Sequence, residues 1–199
     1  MNQESFHTIK NPTEGAFKDR GSKFLAFAFP VINEQQVSIR LDELRKKYHD
    51  ARHHCYAYVL GADGQIQRAN DDGEPTHSAG DPILGQLRSR ELTYTLVVVV
   101  RYFGGTKLGV SGLIQAYKTA ASEALDCAKK IKKFITTPVS INFRYEQMNE
   151  VMRMIKSMDL KIVEQKFEIE CRIVCTVKPS QVALIHQLLN PFPDIKVVG

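Results

Sequence analysis

The sequence predicts an α+β chain of two domains, the second of them ferredoxin-like. Three observations carry this. Apolar residues alternate in some stretches and recur every three or four residues in others, so strands and helices share the chain. The pattern breaks at KKIKKF (129–134) and TTP (136–138), which divides the chain into 1–135 and 136–199. Beyond the break the order reads β-α-β-β-α-β, the split unit of ferredoxin-like domains. A length of 199 residues with 43% hydrophobic residues supplies enough apolar surface for two cores.

In the first part, FLAFAFPV (24–31) reads as a strand. Asn33 then starts a helix, with Gln36 placed to complete a capping box. Val37, Leu41, Leu44 and Tyr48 form its apolar face. HHCYAYVLGADGQIQRA (53–69) reads as two strands joined at Gly61-Ala62-Asp63-Gly64. NDDGEPTHSAGDP (70–82) is turn chemistry throughout, and ILGQLRSRE is a short helix. TLVVVV is apolar at every position, which suits a central strand covered on both sides. The next helix carries a narrow stripe of Leu113, Tyr117, Ala120, Ala124 and Ala128, so it can pack close to a sheet. Lys129, Lys130, Lys132 and Lys133 read as the solvated end of that helix, where cations suit its dipole.

In the second part, VSINFR alternates through Val139, Ile141 and Phe143. A helix follows with Met148, Val151, Met152 and Ile155 inward. Two strands come next. No Gly or Pro marks the hairpin between them, and the turn is placed near Glu168–Glu170. Ser180 is read as the cap of a last helix carrying Val182, Ile185, Leu188 and Leu189, with KVV (196–198) as a final strand.

Composition narrows the function classes. No stretch is apolar and long enough to span a membrane; YTLVVVV is strand length. The N-terminus, MNQESFHTIKNPTEG, lacks an apolar signal region, so a cytoplasmic protein is expected. Cys55, Cys127, Cys171 and Cys175 fall in apolar segments and read as reduced, packed thiols. The net charge of +5 is compatible with phosphate or nucleic-acid partners. Residues 1–135 hold 19 Lys and Arg against 15 Asp and Glu, so most of that excess lies in the first domain.

Two stretches carry candidate chemistry. RYFGGTKLGVSGLIQA (101–116) places four glycines between the buried strand and the alanine-rich helix. It is not a dinucleotide fingerprint, and it misses a P-loop because Val110 stands where that motif needs lysine. Open N–H groups at a helix N-terminus still favour an anion. The alternative is that the glycines only allow a sharp turn and close packing. Gly105 and Gly109 are the expected positive-φ positions. Arg101, ending an apolar run, should pair with a carboxylate of the 71–74 turn or face the loop. Of Tyr102 and Phe103, one should join the core and the other stay open for stacking. In ANDDGEPTHSAGDP (69–82), Asp71, Asp72 and Glu74 lie close together, with His77 nearby. They lack any tight metal spacing and also suit plain turn formation, so no metal and no cofactor is expected.

ARHHCYAYVLG, NDDGEPTHSAGDP and VVVVRYFGGTKLGVSGLIQAY, in this order, resemble the three signature blocks of the IMPACT family, in its bacterial YigZ-like branch. The resemblance spans roughly 50–120 and is looser in the C-terminal third. It implies a two-layer α/β sandwich like domain 2 of ribosomal small-subunit protein five, followed by the small ferredoxin-like domain. It also implies a role in regulating translation or stress response. Eukaryotic members bind a partner that controls a starvation-responsive kinase, whereas bacterial members have no firmly assigned activity. The family motif lands on His53, Tyr56, Asp71, Asp72, Gly73, Glu74, Arg101, Gly104, Gly105 and Gly109.

The candidate ligand site for an anion or RNA is therefore Arg101, Gly104, Gly105, Lys107, Gly109 and Ser111, supported by His53, Tyr56, Asp71, Asp72 and Glu74. No catalytic set is assigned. The leading expectation is a non-enzymatic binding protein that contacts RNA, a ribosome or a ribosome-associated partner. One alternative is a phosphate- or nucleotide-handling enzyme using the glycine loop and the acidic turn. The other is a protein–protein adaptor that binds no nucleic acid.

Overall fold

A computed structural model describes residues 4–198; residues 1–3 and 199, the outer ends of the two expected domains, lie outside it. The chain divides into two compact units, Ser5–Lys133 and the chain from Phe134 onward together with Glu4.

The first unit runs β1 (Ser5–Ile9), β2 (Thr13–Asp19), β3 (Ser22–Pro30), α1 (Glu34–Lys47), β4 (His53–Leu60), β5 (Ile66–Asn70), α2 (Gly80–Ser89), β6 (Thr95–Tyr102) and α3 (Gly109–Asp126), and ends on β7 (Lys130–Phe134). Five strands form one antiparallel sheet in the order β2-β3-β6-β4-β5, which makes β6 central as expected. Alternation along the strands sorts the core onto two faces. Phe24, Ala26, Cys55, Ala57, Val97 and Val99 pack against α2 and α3. Phe27, Tyr56, Tyr58, Leu96, Val98 and Val100 face Val37, Leu41 and Leu44 of α1. The alanine stripe brings α3 very close to the sheet. A Cβ on Gly15 of β2 would lie 2.4 Å from the backbone nitrogen of Ala124. Asn33 caps α1 by accepting the N–H of Gln36, while the Gln36 side chain reaches back to the N–H of Ile32.

The second unit runs β8 (Thr137–Arg144), α4 (Met148–Ser157), β9 (Lys161–Lys166), β10 (Glu170–Val177), α5 (Pro179–Leu189) and β11 (Lys196–Val198). Its sheet order, β11-β8-β10-β9, is that of the ferredoxin-like unit. Val139, Ile141, Phe143, Cys171, Ile173 and Cys175 meet the two helices in one core.

Several expectations are corrected. β1, β2 and β7 were not anticipated. β2 and β3 form a hairpin whose turn places Arg20 and Gly21 at positive φ. Lys130, Lys132 and Lys133 do not end a helix; they belong to β7, which pairs with β1. On an edge strand such lysines discourage further strand pairing. Cys127 is exposed, because it lies just past the last turn of α3. In α4, Met154 is buried and Met152 faces out, and in α5 Leu188 is exposed. The cap of α5 is Lys178, with Pro179 in the first turn, so Ser180 lies inside the helix. The hairpin turn lies between Lys166 and Glu170, overlapping the expected position.

The first unit carries its own sheet and both of its cores, which leads us to propose that residues 1–135 fold alone. A circular-dichroism melt of that fragment should show one cooperative transition. A fragment ending at Ala128 should melt lower, because it strips β1 of its β7 partner. A soluble 1–135 fragment that melts without cooperativity would show that the boundary is misplaced.

Candidate functional site

The corner between β6 and α3 begins with Arg101, which sits opposite His53 of β4 and Phe24 of β3. Its side chain is only 7% exposed. Nη1 donates to Glu74 Oε1 at 2.6 Å, and Glu74 is itself 4% exposed. Nη2 lies 3.5 Å from Ser22 Oγ. Nε has no hydrogen-bond partner among the described residues. The guanidinium carbon is 5.5 Å from the ring centre of Phe24 and 5.7 Å from that of Phe103. Of the two expected arrangements for Arg101, pairing with the acidic turn is the one observed.

A chain of donors fixes Glu74. The Tyr117 hydroxyl donates to Glu74 Oε1 at 2.7 Å from inside α3. The Cys55 thiol lies 3.3 Å from that hydroxyl and 3.0 Å from the Asp71 carbonyl oxygen. Burial pushes both the Tyr117 phenol and the Cys55 thiol up, so both remain protonated donors. Cys55 is thus a structural thiol.

The acidic turn is organised by its own backbone. Asp71 Oδ1 accepts the N–H groups of Ala79 and Gly80 at 2.9 and 2.8 Å, and Oδ2 accepts that of His77 at 2.9 Å. Asp71 thereby satisfies the start of α2, where the residue at the cap position, Ala79, offers no side-chain bond. Burial would raise its pKa, but the N–H groups of Gly80, His77 and Ala79 together hold it below the ordinary carboxylate value. Asp72 Oδ2 accepts the N–H of His54 at 2.7 Å, and its carbonyl oxygen accepts from His53 Nδ1 at 2.8 Å. His77 forms an exposed pair with Asp81 at 2.6 Å. Among the described residues no three His, Cys, Asp or Glu side chains converge as a metal site.

The glycine loop has two distinct geometric demands. Gly105 and Gly109 hold φ of +87° and +73°, the two positions anticipated. Gly104 is needed for space: a Cβ there would sit 1.8 Å from the carbonyl carbon of Gly21. Its N–H is taken by Ser22 Oγ at 3.2 Å, so Gly104 is not the open donor expected of it. α3 starts at Gly109 without a side-chain cap. Lys107, Ser111 and Phe103 are exposed, Phe103 to 57%. Tyr102 turns to the α1 side and donates to Asp50 Oδ1 at 2.7 Å. That bond, more than burial, pushes the phenol up to about 12 and lowers Asp50.

Two clefts meet at this corner. One, of about 420 Å³, is lined by Asp50, Arg52, His53, Arg101, Phe103 and Lys107 among others. The second, of about 360 Å³, shares Arg101, Phe103 and Lys107 and adds Pro75, Leu108, Val110 and Leu113. The structure therefore brings His53, Glu74, Arg101, Lys107 and Gly109 together. Asp71 and Asp72 support them from behind. Tyr56 is not part of the corner; it is 8% exposed and stacks beside Tyr58 on the opposite face of the sheet. Arg52, Ser22 and Tyr117 were missed. Arg52 directly precedes the His53 of the signature block, and Tyr117 interrupts an alanine stripe, so both left a signal. Ser22 left none.

The family profile described as the Impact N-terminal domain matches residues 20–125, the stretch that holds every residue of this corner. The chain belongs to the IMPACT family. Its similarity to the IMPACT family member YigZ of Escherichia coli is 32% identity over 173 residues, 86% of this chain and 85% of that protein. The IMPACT family member YvyE of Bacillus subtilis is 43% identical over 122 residues; the match covers 61% of this chain and 56% of YvyE. A crystal structure of a protein described as hypothetical superposes on 100% of this chain and 98% of its own, with a TM-score of 0.76 and 27% identity.

Two predictions follow from the IMPACT-family corner. Glu74→Ala leaves Arg101 buried and unpaired, and should cost about 3–5 kcal/mol in urea unfolding; a loss below about 1 kcal/mol would mean that Arg101 finds another partner. His54 gives a pH dependence. Burial lowers its pKa, against a smaller upward pull from Asp72 and with Arg45 also lowering it. The unfolded chain therefore takes up the proton first. Stability should be full above the ordinary histidine pKa of about 6.5 and fall as pH drops below it. Urea midpoints between about pH 7 and 5 should show this fall, and His54→Gln should flatten it.

Proposed function

We propose that this chain is a binding protein in the control of translation, and that its β6–α3 corner seats a phosphate of RNA. The observation that carries the reading is the convergence of basic side chains on one cleft. Arg101, Lys107 and Arg52 line it with His53, against the carboxylate of Asp50, whose Oδ1 is taken by the Tyr102 hydroxyl. Beside it lies the start of α3, whose first N–H groups have no side-chain cap. Membership of the IMPACT family supports the link to translation, and a cytoplasmic location is part of the proposal. The matched region spans little more than half of YvyE, so a role for the whole protein is part of the proposal.

The acidic turn favours binding over catalysis. Asp71 is engaged by three N–H groups, Asp72 by His54, and Glu74 by Arg101 and Tyr117. Each already has a structural task, which weakens the enzyme reading.

Titration with a short RNA should move the amide signals of Gly105 to Gly112 first, and the affinity should fall with added salt. Lys107→Ala should weaken the response several-fold without lowering the melting temperature. Pull-down from native lysate should recover RNA or ribosomal proteins, and ribonuclease should remove them. Loop amides that stay still while distant ones move would end the proposal. Ribonuclease-resistant capture of a protein partner would support the adaptor reading instead.

A further inference from the structure

The geometry points to a divided seat for one unpaired RNA nucleotide, with its phosphate in the cationic cleft and its base in the apolar one. This rests on the phosphate reading above and adds what lies on the other side of Phe103. The two clefts, of about 420 and 360 Å³, share Arg101, Phe103 and Lys107 and so lie side by side at this corner with two different linings. The first lining carries charged and polar groups, Arg52, His53 and Asp50, the last already accepting from the Tyr102 hydroxyl. The second is built from Pro75, Leu108, Val110 and Leu113, which offer an aromatic ring contact surface and no competing charge. Glu74 borders it, but its Oε1 is held by Arg101 and Tyr117.

Phe103 stands between the two linings. It is 57% exposed, so part of its ring is accessible at the corner. Arg101 lies 5.7 Å from its ring centre and sets the ring's electrostatics from within the protein. The rest of the ring is open to a planar partner, and base–aromatic stacking is how single-stranded nucleic acid is commonly held. An anion alone would use only the cationic side. An apolar peptide would use only the other, and would leave Lys107 and Arg52 without an anion. A nucleotide uses both, because its base and phosphate are joined at short range. Bases inside a duplex are stacked and paired and cannot enter such a pocket, so the seat selects single strands.

The test uses fluorescence anisotropy on the full chain with a labelled short oligoribonucleotide, alone and annealed to its complement. The single strand should bind about tenfold more tightly than the duplex. Phe103→Ala should lose about tenfold in single-strand affinity, and Val110→Phe, which fills the apolar side from an exposed position, should lose a similar factor. The salt slope with the single strand should stay unchanged in Val110→Phe, since no cation is removed. Equal affinity for single strand and duplex, or an undiminished affinity in both variants, would overturn the inference. Inorganic phosphate, titrated into the unaltered protein and read at the loop amides, separates the two failures. If phosphate moves those amides while strand selectivity is absent, only the divided seat falls. If neither phosphate nor oligonucleotide moves them, the phosphate reading falls and takes this inference with it.

Discussion

Arg101 is a cation at the buried end of the central strand, and the chain must answer it. Glu74 does so at 2.6 Å with both side chains nearly sealed from solvent. A buried pair of this kind adds little net stability over apolar packing, because two desolvation penalties offset its Coulomb gain. Its effect is positional. To reach Arg101, Glu74 must ride on a turn of fixed shape. Asp71 provides that shape by holding the start of α2, and Asp72 by holding the backbone of β4. Tyr117 adds a fixed point from α3. Strand β6, strand β4 and helices α2 and α3, joined by sheet pairing and a shared core, thus also meet at one ion pair and its donors.

The loop that follows Arg101 is located by contact with the β2–β3 turn. Gly104 approaches Gly21 so closely that no side chain fits, and Ser22 Oγ accepts the Gly104 N–H. Ser22 is fully buried, so this hydroxyl stands where a mobile loop would have had water. The start of α3 and Lys107 therefore leave a corner fixed on both sides. A ligand meeting it would meet few groups that still have to be ordered, which lowers the entropic cost of association.

How much of this was legible depends on sequence separation. The positive φ at Gly105 and Gly109 is a local property of a tight strand-to-helix join, and the glycine spacing announced it. The pairing of Arg101 with the acidic turn was one of the two arrangements that the cost of burying a charge left open, although 27 residues separate the partners. Ser22 was not legible. A serine at the start of a strand has many uses, and nothing local says that it will meet a backbone 82 positions away. Strands β1, β2 and β7 were hidden for a different reason. They are short, polar and at sheet margins, so their alternation is weak, and KIKKF reads as a solvated run until β1 is known to lie beside it. Tyr56 misled in the opposite sense. It lies in the signature block, yet strand alternation turns it to the other face of the sheet from His53 and Arg101.

The same arrangement bears on the proposal of recognition rather than turnover. A general base needs an uncommitted lone pair near its substrate, and a nucleophile needs a lowered pKa. Here the carboxylates of the acidic turn accept bonds that hold the turn together. Asp50, at the rim, accepts the hydroxyl of Tyr102. Cys55 and Tyr117 are shifted upward by burial, the direction that disarms them. What remains uncommitted at the clefts is Lys107 and Arg52, the open end of a helix and one aromatic ring, beside the engaged carboxylates of Asp50 and Glu74. Those groups match the proposed anion with a flat neighbour, and none of them is an activated base or nucleophile of the kind just described. The acidic residues of the signature blocks are then explained by the cation they bury.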